Sequence, residues 1–268
     1  MARTGATQPH DRRKALFAVA EKHDLCIIED EPYYFLQMED YGSDQSPDGT
    51  NAEPISYDHF MQGLIPSYLS MDTSGRVLRL DSFSKIIAPG TRTGWITGPQ
   101  QLVERFFRHS EVSTQNPSGI SQIVLYKLLE ETWGHDGFIG WLMYIRSEYT
   151  KRRDIIVSAC ERHLPGEIAS WHPPKAGMFH WISIKWHSHP LAKQGCTLEQ
   201  LQKIEQAIFE RAIGKGVLCT LGSWFRAEKG TDSEIFLRAT FAAAPADKVD
   251  EAISRLGEAL KEEFGISG

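Results

Sequence analysis

Cysteine is scarce in this chain of 268 residues: four residues, Cys26, Cys160, Cys196 and Cys219, without a Cys-x-x-Cys pair. Neither a zinc ribbon nor a thioredoxin-like redox motif is therefore available, and four reduced thiols in or near the core are expected. Long apolar runs are missing as well. Leu25 to Ile28 and Trp181 to Ile184 fall far short of the ~20 residues that cross a bilayer, and the opening Met-Ala-Arg-Thr-Gly has no apolar signal core. No basic excess exists either: 29 Lys+Arg stand against 35 Asp+Glu, a net charge of -6, with the cations scattered. These absences argue against a membrane span and a nucleic-acid partner, and predict a cytoplasmic protein. With 41% hydrophobic and 24% charged residues, disordered, collagenous and coiled-coil classes are excluded.

At roughly 150 residues per domain, the length suggests about two domains. Leu16, Val19 and Ala20 recur at helical spacing between Asp11 and His23, and Leu25-Cys-Ile-Ile28 reads as a buried strand ending in Glu29-Asp30-Glu31-Pro32. Residues 40–58 read as a solvated loop. A second strand, Arg76 to Leu80, runs into Asp81-Ser-Phe-Ser-Lys85, and Gly94 to Gly98 is a third, after which Pro99 opens a helix to about Val112. Helical stretches over 118–131 and 136–163 precede Leu164-Pro165-Gly166, where a domain change is expected. Beyond it, strands at 177–185 and 234–241 interleave with helices at 198–214 and 247–264, an α+β pattern. Thr197-Leu-Glu-Gln200 fits a capping box, and Val249, Ile253, Leu256, Leu260 and Phe264 form one helical stripe.

The chemistry concentrates after the second strand, in Ser82-Phe-Ser84-Lys85-Ile-Ile-Ala-Pro-Gly-Thr-Arg92-Thr-Gly. Ligands of open α/β sheets bind beyond the carboxyl ends of strands. Hydroxyls and a guanidinium there suit a phosphate, and a lysine can lose its proton and condense with a carbonyl. Alone, Ser-x-x-Lys is more often a solvated lysine in a polar turn. The β-lactamase class shares the spacing but needs Ser-Asp-Asn and Lys-Thr-Gly companions, which this sequence lacks. At the first strand's end, Asp30 either caps the strand or pairs with the ring nitrogen of a pyridine cofactor, and Tyr33 is a donor to that ring. Arg238 sits inside the apolar Ile-Phe-Leu-Arg-Ala-Thr-Phe, as a structural ion pair or as a fork for a carboxylate. Phe179 and Tyr34 are core aromatics or pocket walls. His180, His187 and His189 are read as surface histidines rather than a metal site, since no carboxylate is suitably spaced.

Together, Ile-Ile-Glu-Asp-Glu-Pro-Tyr-Tyr-Phe-Leu-Gln, the Asp-Ser-Phe-Ser-Lys frame, Pro-Lys-Ala-Gly-Met-Phe and Phe-Leu-Arg-Ala-Thr-Phe resemble the class I/II pyridoxal-phosphate aminotransferases, within the fungal aromatic and kynurenine/α-aminoadipate branch. The resemblance implies an α/β fold: part of the fold-type I large domain over 1–163 and an α+β small domain over 164–268. It implies pyridoxal 5'-phosphate as cofactor, no metal, amino acid and 2-oxo acid substrates, and a homodimer. By position, Lys85 is similar to the lysine that condenses with the cofactor and later moves the proton at the substrate's Cα. Asp30 resembles the partner of the pyridinium, Tyr33 the donor to the ring oxygen, Ser82, Ser84 and Arg92 the phosphate ligands, and Arg238 the fork for the substrate carboxylate. The implied reaction moves an amino group from Phe, Tyr, Trp, kynurenine or 2-aminoadipate to 2-oxoglutarate.

The front departs from the family pattern. A Gly-rich phosphate segment and a ring-stacking aromatic are absent, and an Asn-Pro-x-Gly turn is reduced to Met1-Ala-Arg-Thr-Gly5. The expectation is an N-terminally truncated chain that binds the cofactor weakly and transaminates poorly or not at all. The alternative is a catalytically inactive remnant acting as a binding or dimerisation module.

Overall fold

The helix expected between Asp11 and His23 forms as α1 (His10–Lys22), with Arg13, Phe17 and Ala20 turned inward. It belongs to a computed structural model that describes residues 6–42, 56–192, 197–226 and 234–266. Two compact units divide the chain, one built from Gln8–Gln37 and Asp48–Ser147, the other from Met1–Thr7, Met38–Pro47 and Glu148–Gly268.

In the first unit α1 leads into β1 (Ile27–Asp30), followed by α2 (Tyr57–Gly63), β2 (Val77–Ser82) and β3 (Gly94–Thr97). Then come α3 (Gln100–Val112), α4 (Gly119–Tyr126), a π-helical stretch Lys127–Trp133 and the beginning of α5 (Gly134–His163). The sheet order is β1-β2-β3, with β1 and β2 parallel and β3 antiparallel to β2. Most of the loop expected at 40–58 lies outside the described residues. Its far end is a helix start, because the Ser56 hydroxyl caps α2 by accepting from the His59 amide at 3.2 Å.

The expected buried strand at 25–28 needs correction. β1 begins two residues later, and Leu25 and Ile28 are 51% and 68% exposed. Side chains alternate across a strand, so burying Glu29 turns Ile28 to the opposite side. Arg13 makes that burial tolerable, donating to Glu29 at 2.9 Å and to Glu31 at 3.0 Å.

The second unit carries β4 (Ala169–Trp171), β5 (Phe179–Ile184), α6 (Leu198–Gly214), β6 (Thr220–Leu221), β7 (Ile235–Thr240) and α7 (Ala246–Phe264). Its sheet runs β4-β5-β7-β6, all antiparallel. The capping box at Thr197 and Gln200 is present, and the five-residue stripe of α7 is buried in one core with Ile182, Ile184, Ile204, Ile208 and Leu237. Glycine inside a helix ordinarily costs about 1 kcal/mol relative to alanine. Gly257, in the middle of α7, is nevertheless required, since a Cβ there would lie 2.3 Å from the carbonyl oxygen of His163. Gly257→Ala is expected to destabilise the fold by about 2 kcal/mol or more, read as a lowered urea midpoint with an unchanged slope.

Two further expectations are corrected here. Cys160 and Cys219 are core thiols, pushed up to about 12 and about 11 by burial, but Cys26 is exposed. Cys196 lies outside the described residues. Of the histidines read as surface groups, only His187 is exposed, stacked on Trp186 at 3.9 Å. His189 is buried, with Nε2 3.2 Å from Glu263 and Nδ1 accepting from the Leu191 amide. His180 shares the core face of β5 with Ile182 and Ile184, so it is fully buried. Among the described residues no cluster of His, Cys, Asp and Glu could hold a metal ion.

Neither ring nitrogen of His180 has a hydrogen-bond partner among the described residues, and burial pushes its pKa down to about 4 from 6.5. A group whose folded pKa is depressed withholds stability as the pH falls. Below 6.5 the unfolded chain takes up a proton that the folded chain refuses until about 4. At ~1.4 kcal/mol per unit the loss approaches about 3 kcal/mol across that window. Urea unfolding at pH 7 and pH 4.5 checks this: the wild type should lose about 2–3 kcal/mol more than His180→Phe between the two.

Candidate functional site

Because β1 and β2 are parallel, with Asp30 paired to Leu80, the carboxyl ends of both strands emerge together. Alternation places Asp30 on the face of Leu80 and Ser82, away from Glu29. Three consecutive acids are thereby sorted. Glu29 and Glu31 both receive Arg13, and burial holds the Glu31 carboxyl above the usual range despite that guanidinium. Asp30 is exposed and has no ion-pair partner among the described residues. The chain then turns, with the Glu31 amide donating to the Leu80 carbonyl at 3.0 Å.

After Ser82 the backbone closes a tight turn in which the carbonyl of Phe83 accepts from the amides of Ile86, Ile87 and Ala88. The Trp141 indole on α5 donates to the Ile86 carbonyl at 2.6 Å and holds the turn from outside. Ser82 donates its hydroxyl to Ser84 Oγ at 2.9 Å and accepts from the Ser84 amide at 3.1 Å. Arg92 reaches back with Nη1, 3.4 Å from Ser84 Oγ and 3.2 Å from the Pro89 carbonyl. To do so Arg92 adopts a left-handed backbone, φ 48°, ψ 37°, which a non-glycine residue rarely takes. Lys85 rides on the same turn, half-buried, its ammonium 5.9 Å from the centre of the Tyr33 ring. No carboxylate pairs with Lys85 among the described residues.

The structure thus brings together Ser82, Ser84 and Arg92 by hydrogen bonds and Lys85 with Tyr33 by proximity, while Asp30 ends the neighbouring strand. Tyr34 is engaged elsewhere: the Arg79 guanidinium lies 4.0 Å over its ring and forks onto Asp81 with two 2.8 Å bonds. An apolar groove of about 510 Å³, walled by Trp95, Phe106 and Phe107, runs along β3 and α3 and contains none of the predicted residues. Its one carboxylate, Asp81, is the one committed to Arg79, so the strand ends carry the better chemical case.

Arg238 belongs to the second unit. It lies on β7, in register with Trp181 of β5 and Thr220 of β6. Its guanidinium carbon is 4.0 Å from the centre of the Phe179 ring and 3.8 Å from that of Phe225. Sequence reasoning weighed Phe179 but missed Phe225, which sits in a one-turn 3₁₀ helix, Gly222–Phe225, too short to show periodicity. The only available signal was an arginine in an apolar strand, which needs something to cover its flat faces.

Chemically, two hydroxyls and a guanidinium suit a phosphate, an amine without a counter-ion suits an aldehyde, and an exposed carboxylate suits a protonated ring nitrogen. The family model described as aminotransferase class I and II matches residues 2–256. An aromatic amino acid aminotransferase of Schizosaccharomyces pombe is 40% identical over 98% of this chain and 53% of its own length. The mitochondrial kynurenine/alpha-aminoadipate aminotransferase of Bos taurus is 34% identical over 97% and 52%. Among solved structures, aminotransferase Aro8 of Candida albicans superposes with a TM-score of 0.89 at 44% identity, covering 97% of this chain and 55% of that one. The chain spans about half the length of the curated relatives it matches.

Proposed function

We propose, starting from the fact that this chain belongs to the class I and II aminotransferases, that it serves pyridoxal-phosphate-dependent transfer of an amino group from an aromatic or related amino acid to 2-oxoglutarate. Phe, Tyr, Trp, kynurenine and 2-aminoadipate are the candidate donors, a choice supported by the names of its relatives. The observation that carries the reading is the convergence of a carboxylate without an ion-pair partner among the described residues, Asp30, and a hydroxyl–guanidinium–amine turn, Ser82 to Arg92, at the ends of two parallel neighbours.

These residues fit the cofactor. When bound, pyridoxal phosphate supplies an aldehyde that takes up the amino group and a cationic ring that draws electrons from the substrate's Cα. Ser82, Ser84 and Arg92 would hold the phosphate, hydroxyls adding no charge and one guanidinium neutralising it. Asp30 keeps the ring nitrogen protonated, and Tyr33 donates to the ring oxygen. Lys85 would hold the aldehyde end of the cofactor with its amine and would move the proton at the substrate's Cα. Arg238 would fork the substrate carboxylate.

The same reading takes 1–163 as the cofactor-binding large domain and 164–268 as the small domain, and the working form as a cytoplasmic homodimer. No described helix is long and apolar enough to cross a membrane. An absorption spectrum tests the function. Protein incubated with pyridoxal phosphate and dialysed should stay yellow and lose its colour on adding phenylalanine, with phenylpyruvate formed in equal amount. A protein that dialyses colourless would defeat the enzymatic reading. It would favour the second one, a binding or dimerisation module, which the exposed Ile120, Ile123 and Tyr126 of α4 support.

A further inference from the structure

A guanidinium donates only in its plane, and its two faces carry no N–H. In Arg238 two aromatic rings pack against the guanidinium, Phe179 at 4.0 Å and Phe225 at 3.8 Å from its carbon to the ring centres. The first ring follows from β5, where Phe179 stands two residues from Trp181, the register partner of Arg238, and so shares its face. The second ring comes from a separate element held tightly in place. A Cβ on Gly222, at the head of the 3₁₀ helix that ends in Phe225, would sit 2.7 Å from Phe236 Cβ, so that helix rests directly on β7. Trp181 then meets Phe225 edge to face, with centroids 5.7 Å apart and planes at 74°, and meets Phe236 the same way at 6.0 Å. Trp181 itself is 6% exposed, which makes it a fixed wall behind the second ring.

From this arrangement we infer that Phe225 is a positioning residue for carboxylate recognition. Together with Phe179 it holds the Arg238 guanidinium in one plane and displaces water from the faces the rings cover, so that an acid lying in that plane is bound with two parallel hydrogen bonds. The inference rests on the reading of Arg238 as the carboxylate fork. Its physical content is twofold. Clamping removes rotamer freedom before the substrate arrives, and desolvated faces strengthen the charge-assisted bonds made at the edge. A lysine at position 238 would keep the charge and lose both effects.

The test uses the full chain and phenylglyoxal, which modifies arginine, with phenylpyruvate as the protecting acid and mass spectrometry of the Arg238 peptide as readout. In the wild type, phenylpyruvate should protect Arg238 at a measurable half-protecting concentration. Phe225→Leu should raise that concentration roughly tenfold, and Phe225→Tyr, which restores a ring, should return it to within about twofold. Unchanged protection in Phe225→Leu overturns the clamp and leaves the Arg238 assignment standing. Absence of protection in the wild type overturns that assignment, and the clamp's role with it. Should Phe225→Leu lose its cooperative unfolding transition, Phe179→Leu, which removes the other ring, carries the same tenfold expectation and decides the question.

Discussion

Lys85→Ala should abolish the borohydride-fixed attachment of pyridoxal phosphate to the peptide that spans Ser82 to Arg92. In the wild type that peptide is expected to gain a reduced pyridoxyl group at Lys85 at low cofactor concentration, ahead of the exposed lysines. Proximity is the reason. The amine shares its turn with Ser82 and Ser84, which are bonded to each other at 2.9 Å, and with Arg92, whose Nη1 reaches Ser84. A pyridoxal phosphate held there by its phosphate would have its aldehyde near one nitrogen, and such proximity is worth several orders of magnitude in effective concentration. Surface lysines such as Lys14 and Lys203 are instead paired with Asp11 and Glu199. Labelling spread evenly over the lysines, with Lys85 no faster than the rest, would sink the assignment. Arg92→Gln should keep the amine but slow its labelling at limiting cofactor.

Removing the guanidinium that pairs with Glu29 and Glu31 should cost several kcal/mol of stability. Arg13→Met is expected to lose about 3–5 kcal/mol, because it strands a buried carboxylate. Arg13 and Glu29 are 3% and 4% exposed, and Glu29 also accepts from the amides of Tyr68 at 2.8 Å and Leu69 at 3.3 Å. Two amides cannot replace a cation in a site closed to water. The effect should depend on pH with a definite sign. Burial already raises the Glu31 carboxyl, and loss of Arg13 removes the largest influence that lowers it. Protonation then relieves the variant, so the deficit measured at pH 7 should shrink at pH 5. A Met variant as stable as the wild type at pH 7 would mean that Glu29 is solvated on opening of the strand. Replacing Glu29 by Gln in the same chain should recover part of the loss, the carboxylate being the charge that suffers.

What could be foreseen divides along physical lines. Elements whose signals are local were legible: the capping box at Thr197, the apolar stripe of α7, and the turn-rich Ser82–Arg92 frame following a strand. Such signals depend on neighbours three or four residues away. Features that depend on which side of a strand faces the core were not legible. His180 and Ile28 exchanged their expected environments because a buried Glu29 and an antiparallel register set the phase. Arg13 gave no warning either, since its partners lie on another element. The acids at 29, 30 and 31 look alike in sequence, and only the pairing of two of them with Arg13 separates the third. Phe225 belongs to the same class of long-range contact.

The left-handed backbone at Arg92 has a consequence for how this protein would respond to engineering. Glycine there would relax the peptide and firm up the fold by something on the order of 1 kcal/mol, at the expense of the side chain that reaches Ser84. A library screened for heat resistance alone would therefore drift toward glycine at this position, and its hardiest members would lack the guanidinium that now reaches Ser84.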